Sequence, residues 1–398
     1  MNKTDRRYEL DWLRAMVILS VFIYHSARFF NLDDWHVKNP TTYLSVEIWE
    51  QVLATWMMPL CFVISGASVF YALEKGGAGR FIKDKVLRLF VPLLVGIFTH
   101  SVLQVYLERM THGDFSGSFW EFYPHYFEGL YPFDGGNFAW MGVHLWYLEL
   151  LFVFSLIFLP LFLWLKRGFG QRVLARLGDG LAVSAVAILL AAPITLVLAL
   201  VDPESPLGMD KFGGWGILSH AWFFLSGFVI VSHERLGQSI QRLRWLWLLG
   251  AVALTVWQIA PWVIGSNALA GTPSYGFGLE HTDLMAYLWI LAFFGLARQY
   301  LNFNTPRLQH ANEAVLPFYI LHQPVLLSVG YFVVQWPIPD LAKYAIIAAS
   351  SFTIIIGLYE FGVRRFNVLR FLFGMKLLAR LVGLQTKETQ FKEATRTM

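Results

Sequence analysis

The first long apolar run, DWLRAMVILSVFIYHSARFF (residues 11–30), carries Arg14 near its start and His25 near its end. Eleven positions along a helix amount to three turns plus about 20°. Both side chains therefore leave one face, separated by about 16 Å along the axis. An ionisable group inside a bilayer costs about 2.5–3.5 kcal/mol on insertion scales, so it faces a protein interior or a wet cavity. A helix that starts near Trp12 puts His25 about 20 Å along the span, in the outer third of a hydrocarbon core about 30 Å thick. There a neutral imidazole can take a proton from a hydroxyl. A fixed guanidinium near the opposite surface can hold a phosphate or carboxylate. Asp11 lies within about 40° of the same face and can pair with either. The two bland alternatives are a hydrogen-bonded packing histidine and an arginine that snorkels to headgroups.

Further ionisable residues sit in later apolar runs. In GVHLWYLELL, Glu149 lies about 7 Å below His144 along the helix but about 140° around it, so the two do not share a face. Glu149 needs a partner, and an imidazole on a neighbouring helix, such as His25, is a natural candidate. In PFYILHQPV, His322 is an intramembrane group, and Pro324 frees the carbonyl of Ile320 from the helix ladder. The basic stretch EKGGAGRFIKDKVLRLFVPLL ends with Arg88 at the mouth of a span. It suits a polyanionic nucleotide such as coenzyme A, and equally suits a cytoplasmic connection with no ligand. Cys61, the single cysteine, lies in the apolar run MPLCFVISG, where a thiol is inert, and one cysteine forms no internal disulfide. Glu360 and Arg364 form a structural pair one turn apart. The chain has no Walker glycine loop, no H-E-x-x-H, no G-x-S-x-G and no C-x-x-C, so metal chemistry and nucleic-acid binding have no support.

The elements that position these groups are membrane helices. Hydrophobic residues make up 56% of the 398 and charged ones 15%, with mean hydropathy +0.51, which excludes an ordinary soluble domain. Ten spans can be drawn, at about 12–30, 47–73, 87–107, 144–165, 181–201, 214–232, 245–265, 283–299, 313–335 and 342–363. With the N-terminus inside, 25 of the 31 Lys and Arg fall on the cytoplasmic side. The expected protein is all-α and polytopic, with both termini cytoplasmic and no cleavable leader. A transmembrane domain at 1–384 precedes a polar tail at 385–398. The longest outer connection, 108–143, mixes carboxylates with aromatic rings, as a glycan-docking surface does, or an interfacial aromatic belt with a re-entrant cap.

DWLRAMVILSVFIYH resembles the R-x10-H signature of the acyltransferase 3 family of integral membrane proteins. MPLCFVISG resembles its second-span motif, in which an aromatic residue usually stands where Cys61 does. RLFVPLL, HLWYLE and YILHQP follow in the family's order. WHVKNP and GLYEFGVRRFNVLRFLFG are similar to the subgroup associated with succinylation of periplasmic glucans. The resemblance implies O-acylation of an extracytoplasmic glycan, with succinyl or acetyl, from a cytoplasmic acyl-coenzyme A and with no bound cofactor. It implies a multi-pass protein of the inner membrane whose His25 and Arg14 are the signature pair. In that frame His25 and Glu149 are the expected catalytic residues, Arg14, Arg88 and His322 the donor-binding ones, and Asp11 and His144 their supports. The rival is a transporter or flippase of a glycan or lipid. Such proteins are marked by repeats with matched broken helices, and no repeat is visible here.

Overall fold

The computed structural model describes residues 7–131, 135–202, 205, 207, 212–264 and 282–378. The expected tail at 385–398 lies outside them. Among the described residues the fold is all-helical, with one isolated bridge between Leu130 and Phe138. In chain order the helices are α1 (Tyr8–Ala27), α2 (Leu44–Lys75), α3 (Ala78–His112), α4 (Phe119–His125), α5 (Val143–Ile157), α6 (Leu159–Leu165), α7 (Gly168–Leu181) and α8 (Ser184–Leu200). They continue with α9 (Ile217–Ser232), α10 (Glu234–Arg242), α11 (Arg244–Ile264), α12 (Thr282–Tyr300), α13 (Pro306–Val333), α14 (Asp340–Val363) and α15 (Asn367–Leu372).

All ten expected apolar segments are helical, but not all are straight spans. Five helices (α1, α2, α3, α13 and α14) are long and apolar enough to cross a membrane. Three more spans arise if each bent pair is one crossing: α5 with α6 (51°), α7 with α8 (113°) and α9 with α10 (99°). α12 carries Asp283 and Arg298 and is not among these spans. The two sharpest bends occur where α7 and α10, both amphipathic, turn away from an apolar helix; Asp179 of α7 meets Arg235 of α10 at 3.2 Å. Leu200 and Leu341 are 79% and 80% exposed, as surfaces that meet lipid are.

At the centre lies α2. Of its most apolar window 67% is buried inside the protein, against 22% for α14 at the periphery. Its closest neighbour is α9, and glycine permits the approach. A Cβ at Gly66 would lie 1.8 Å from the carbonyl oxygen of Phe224, and one at Gly227 would lie 1.9 Å from that of Val63. Each glycine thus seats the backbone of the other helix, the small-residue device that membrane helices use in place of a hydrophobic drive. This crossing fixes one side of α2 and leaves its opposite, polar side to α1.

The expected basic connection after α2 is mostly helix: only Gly76 and Gly77 interrupt it, and α3 begins at Ala78. A π-helical segment at Val86–Phe90 carries Arg88, and Thr99 breaks the helix again. The connection after α3 builds a small core of its own, with Val102, Val105, Phe122, Tyr126 and Ala139. Its helix α4 starts with a capping box between Ser118 and Glu121.

Candidate active site

Polar groups line the seam between α1 and α2 from one end to the other. At the N-terminal end of α1, Arg14 donates to Asp11 Oδ1 at 3.2 Å and to Ser68 Oγ of α2 at 2.8 Å. Ser68 donates a hydrogen bond of its own to the Ile64 carbonyl at 2.8 Å. One turn along α2, Ser65 meets the Tyr147 hydroxyl of α5 at 2.6 Å. The Tyr147 ring packs edge-on against Tyr319 of α13, with centroids 5.7 Å apart. Tyr319 is 5.5 Å from the ring of His322, and His322 Nε2 is 3.2 Å from His25 Nδ1. Polar and aromatic groups of α2, α5 and α13 thus lie between the two residues that share one face of α1.

Hydrogen bonds fix the tautomers of this histidine pair. A carbonyl oxygen only accepts, so the contact of His322 Nδ1 with the Tyr319 carbonyl puts its proton on Nδ1 and leaves Nε2 as an acceptor. His25 Nδ1 faces that Nε2 and the Val21 carbonyl at 3.0 Å, both acceptors, and therefore carries the proton itself. The lone pair of neutral His25 is then on Nε2, which makes no hydrogen bond among the described residues. His25 is half-buried, whereas His322 is only 1% exposed. A base held by a second group on its far nitrogen is the geometry of an oriented proton acceptor.

The third histidine differs. His144 Nδ1 meets Gln104 Oε1 at 3.1 Å, and Nε2 donates to the Ile320 carbonyl at 3.1 Å. That carbonyl is the one Pro324 releases from the ladder of α13. Tyr319 donates to the His144 carbonyl as well, so α5 and α13 are joined twice. With both ring nitrogens engaged, His144 offers no free lone pair. The chain enters α5 through Gly142 at φ 77° and Val143 at φ 55°, a left-handed conformation unfavourable for a β-branched residue. No group of three His, Cys, Asp or Glu among the described residues is arranged to hold a metal.

The chain matches the acyltransferase domain model over residues 7–360, nearly its whole length. It belongs to the acyltransferase 3 family. The glucans biosynthesis protein C of Salmonella paratyphi B, of Salmonella heidelberg and of Salmonella agona are each 24% identical to it over 383 residues, or 93% of this chain and 95% of the relative. No solved structure matches it. The protein is therefore an acyltransferase, and its apolar helices make it a multi-pass membrane enzyme.

Within this acyltransferase the expected site residues separate. Arg14 and Asp11 pair near the start of α1, and His25, His322 and His144 cluster near its end. Arg88 is exposed on α3, within electrostatic range of Lys85, which also senses Arg14. Glu149 is half-buried, with Oε2 buried and without a hydrogen-bond partner. No hydrogen bond or ion pair joins Glu149 to His25 among the described residues; the partner of that imidazole is His322. Sequence reading missed Ser65, Ser68, Tyr147 and Tyr319. The serines stand one turn apart in ISGAS, a spacing that marks one helix face. It also missed Trp35, whose ring stacks on His25 at 6.2 Å and 24°. Phe29 supports that indole from the edge at 4.9 Å and itself fills the space over Gly330, where a Cβ would lie 2.1 Å from the Phe29 ring.

Proposed function

We propose that this protein transfers an acyl group, succinyl or acetyl, from cytoplasmic acyl-coenzyme A to a hydroxyl of an extracytoplasmic glycan such as a periplasmic glucan. In this reading it resides in the inner membrane with ten spans and both termini in the cytoplasm. Arg14 holds the donor at the inner end of the seam, and the exposed basic residues around Arg88 attract its phosphates. His25 Nε2 takes the proton of the acceptor hydroxyl as that oxygen attacks the thioester carbonyl. The carbon–sulfur bond then breaks, and the thiolate of coenzyme A leaves with the returned proton. His322 keeps the His25 proton on Nδ1 and so keeps Nε2 basic. Glu149 takes no step in this mechanism.

The observation that carries the reading is the 3.2 Å pairing of His25 Nδ1 with His322 Nε2 at the end of a polar seam that begins at Arg14. The names of the Salmonella relatives support a glucan as acceptor. Mass spectrometry of extracytoplasmic glycans tests it, with cells that carry the native protein, His25→Ala, or no copy. An acetyl or succinyl increment found only with the native protein is the expected outcome. Identical glycans in all three would remove both the acceptor class and the role of His25.

A further inference from the structure

Outward of His25, the same seam holds a second cluster around Arg28 of α1 and Glu50 of α2. Glu50 lies 18 residues from Ser68, five whole turns, and so leaves the face of α2 that Arg14 contacts. Its neighbours are saturated. Glu47 accepts from Asn31 Nδ2 (3.0 Å), the Leu32 amide (3.2 Å) and Gln51 (2.8 Å). Lys38 donates to the carbonyls of Arg28 (2.8 Å) and Asn31 (2.7 Å) and to Asn31 Oδ1 (2.6 Å). Arg28 bonds Asp33 at 3.0 Å and the Asp34 carbonyl at 3.1 Å. Glu50 is the exception. It is 1% exposed, and neither of its oxygens accepts a hydrogen bond.

A buried carboxylate with empty lone pairs is costly unless something supplies donors. Arg28 Nη1 stands 3.7 Å away, close enough to balance the charge but too far for a hydrogen bond. What is missing is therefore a neutral donor rather than a cation. Sugar hydroxyls are such donors, and two adjacent ones match the two oxygens of a carboxylate. We infer that Glu50, backed by Arg28, is the acceptor-sugar subsite: it accepts hydrogen bonds from hydroxyls of the glycan while another hydroxyl of that glycan reaches His25. Asp33 and Asp34 of the connection after α1 hold Arg28, and the glycan enters by displacing that connection. The inference rests on the glycan-acylation reading and adds the residue that recognises the acceptor.

The test uses full-length protein in lipid nanodiscs, with a labelled glucose oligosaccharide and with succinyl- or acetyl-coenzyme A. In equilibrium dialysis without donor, Glu50→Gln should weaken oligosaccharide binding about tenfold or more, since hydrogen bonds to a charged acceptor are lost. In turnover, the same variant should raise KM for the oligosaccharide and leave KM for acyl-coenzyme A unchanged. Glu50→Asp should recover part of the binding; a variant that merely unfolds would lose donor recognition too. Equal oligosaccharide binding by native protein and Glu50→Gln overturns the subsite. If binding depends on Glu50 but no acyl group is transferred, the subsite stands and the acylation reading falls.

Discussion

The two halves of the α1–α2 seam are built to different rules. In the inner half, protein groups meet protein groups: Arg14 is bound to Asp11 and Ser68, Ser68 to a carbonyl, and Ser65 to Tyr147. In the outer half, hydrogen-bonding capacity is left over. Among the described residues, no hydrogen bond reaches His25 Nε2 and neither oxygen of Glu50 accepts one. The difference assigns rigidity to one end and recognition to the other. Unused capacity inside a membrane protein destabilises it, and at these two residues it is capacity that a ligand can fill.

Substitutions at the two ends should therefore fail in different ways. His25→Ala removes the oriented lone pair on Nε2, and we expect transfer to fall by about 10³-fold with normal membrane insertion, within the range of a general base. Residual activity above a tenth would move the chemistry elsewhere. His322→Phe leaves His25 in place but unoriented, with an expected loss in kcat of about 10²-fold and little change in either KM. His322→Asn, whose amide oxygen can still accept from His25 Nδ1, should restore part of it; equal loss in both variants would make His322 a packing residue. Arg14→Ala should raise KM for acyl-coenzyme A about tenfold while the acceptor KM stays fixed. A rise in acceptor KM instead would dissolve the distinction between the halves.

The smallest effect concerns the cover of the outer half. Burial pushes the Lys38 ammonium down to about 8. A lysine whose folded value lies below its unfolded one leaves the unfolded chain with more bound protons between those values. Stability therefore rises with pH above about 8. Hydrogen exchange across residues 28–43 should show a modest gain in protection between about pH 8 and 10, beyond the intrinsic rate change. The gain should vanish in Lys38→Met.

What the sequence disclosed was whatever one helix can encode. The shared face of Arg14 and His25 follows from their spacing, and the release of the Ile320 carbonyl follows from Pro324. Pairing between helices was hidden. His25 and His322 stand 297 positions apart, and intramembrane charge alone could not tell a donor ligand from a partner of the base. Glu149 drew attention for the same reason, yet its partner is not His25. Glu50 was passed over because it precedes the apolar core of α2, where a carboxylate reads as an ordinary interfacial charge. The motif MPLCFVISG was recognisable, but why Gly66 stands there is visible only against Gly227. The amphipathic helices α7 and α10 escaped because an apolar window averages over a bend.

The hydrogen bond from His144 to the Ile320 carbonyl has a consequence for biogenesis. As α13 leaves the ribosome and partitions into lipid, Pro324 leaves that carbonyl without its amide, and α5, made much earlier, carries an imidazole N–H with nowhere to go. Each helix alone carries one unmet polar group, and the two are satisfied together only when the helices meet. The hydrogen bond thereby favours one docking position of the late helix over other apolar surfaces, because a chain in which it docks elsewhere keeps two unmet polar groups in the bilayer.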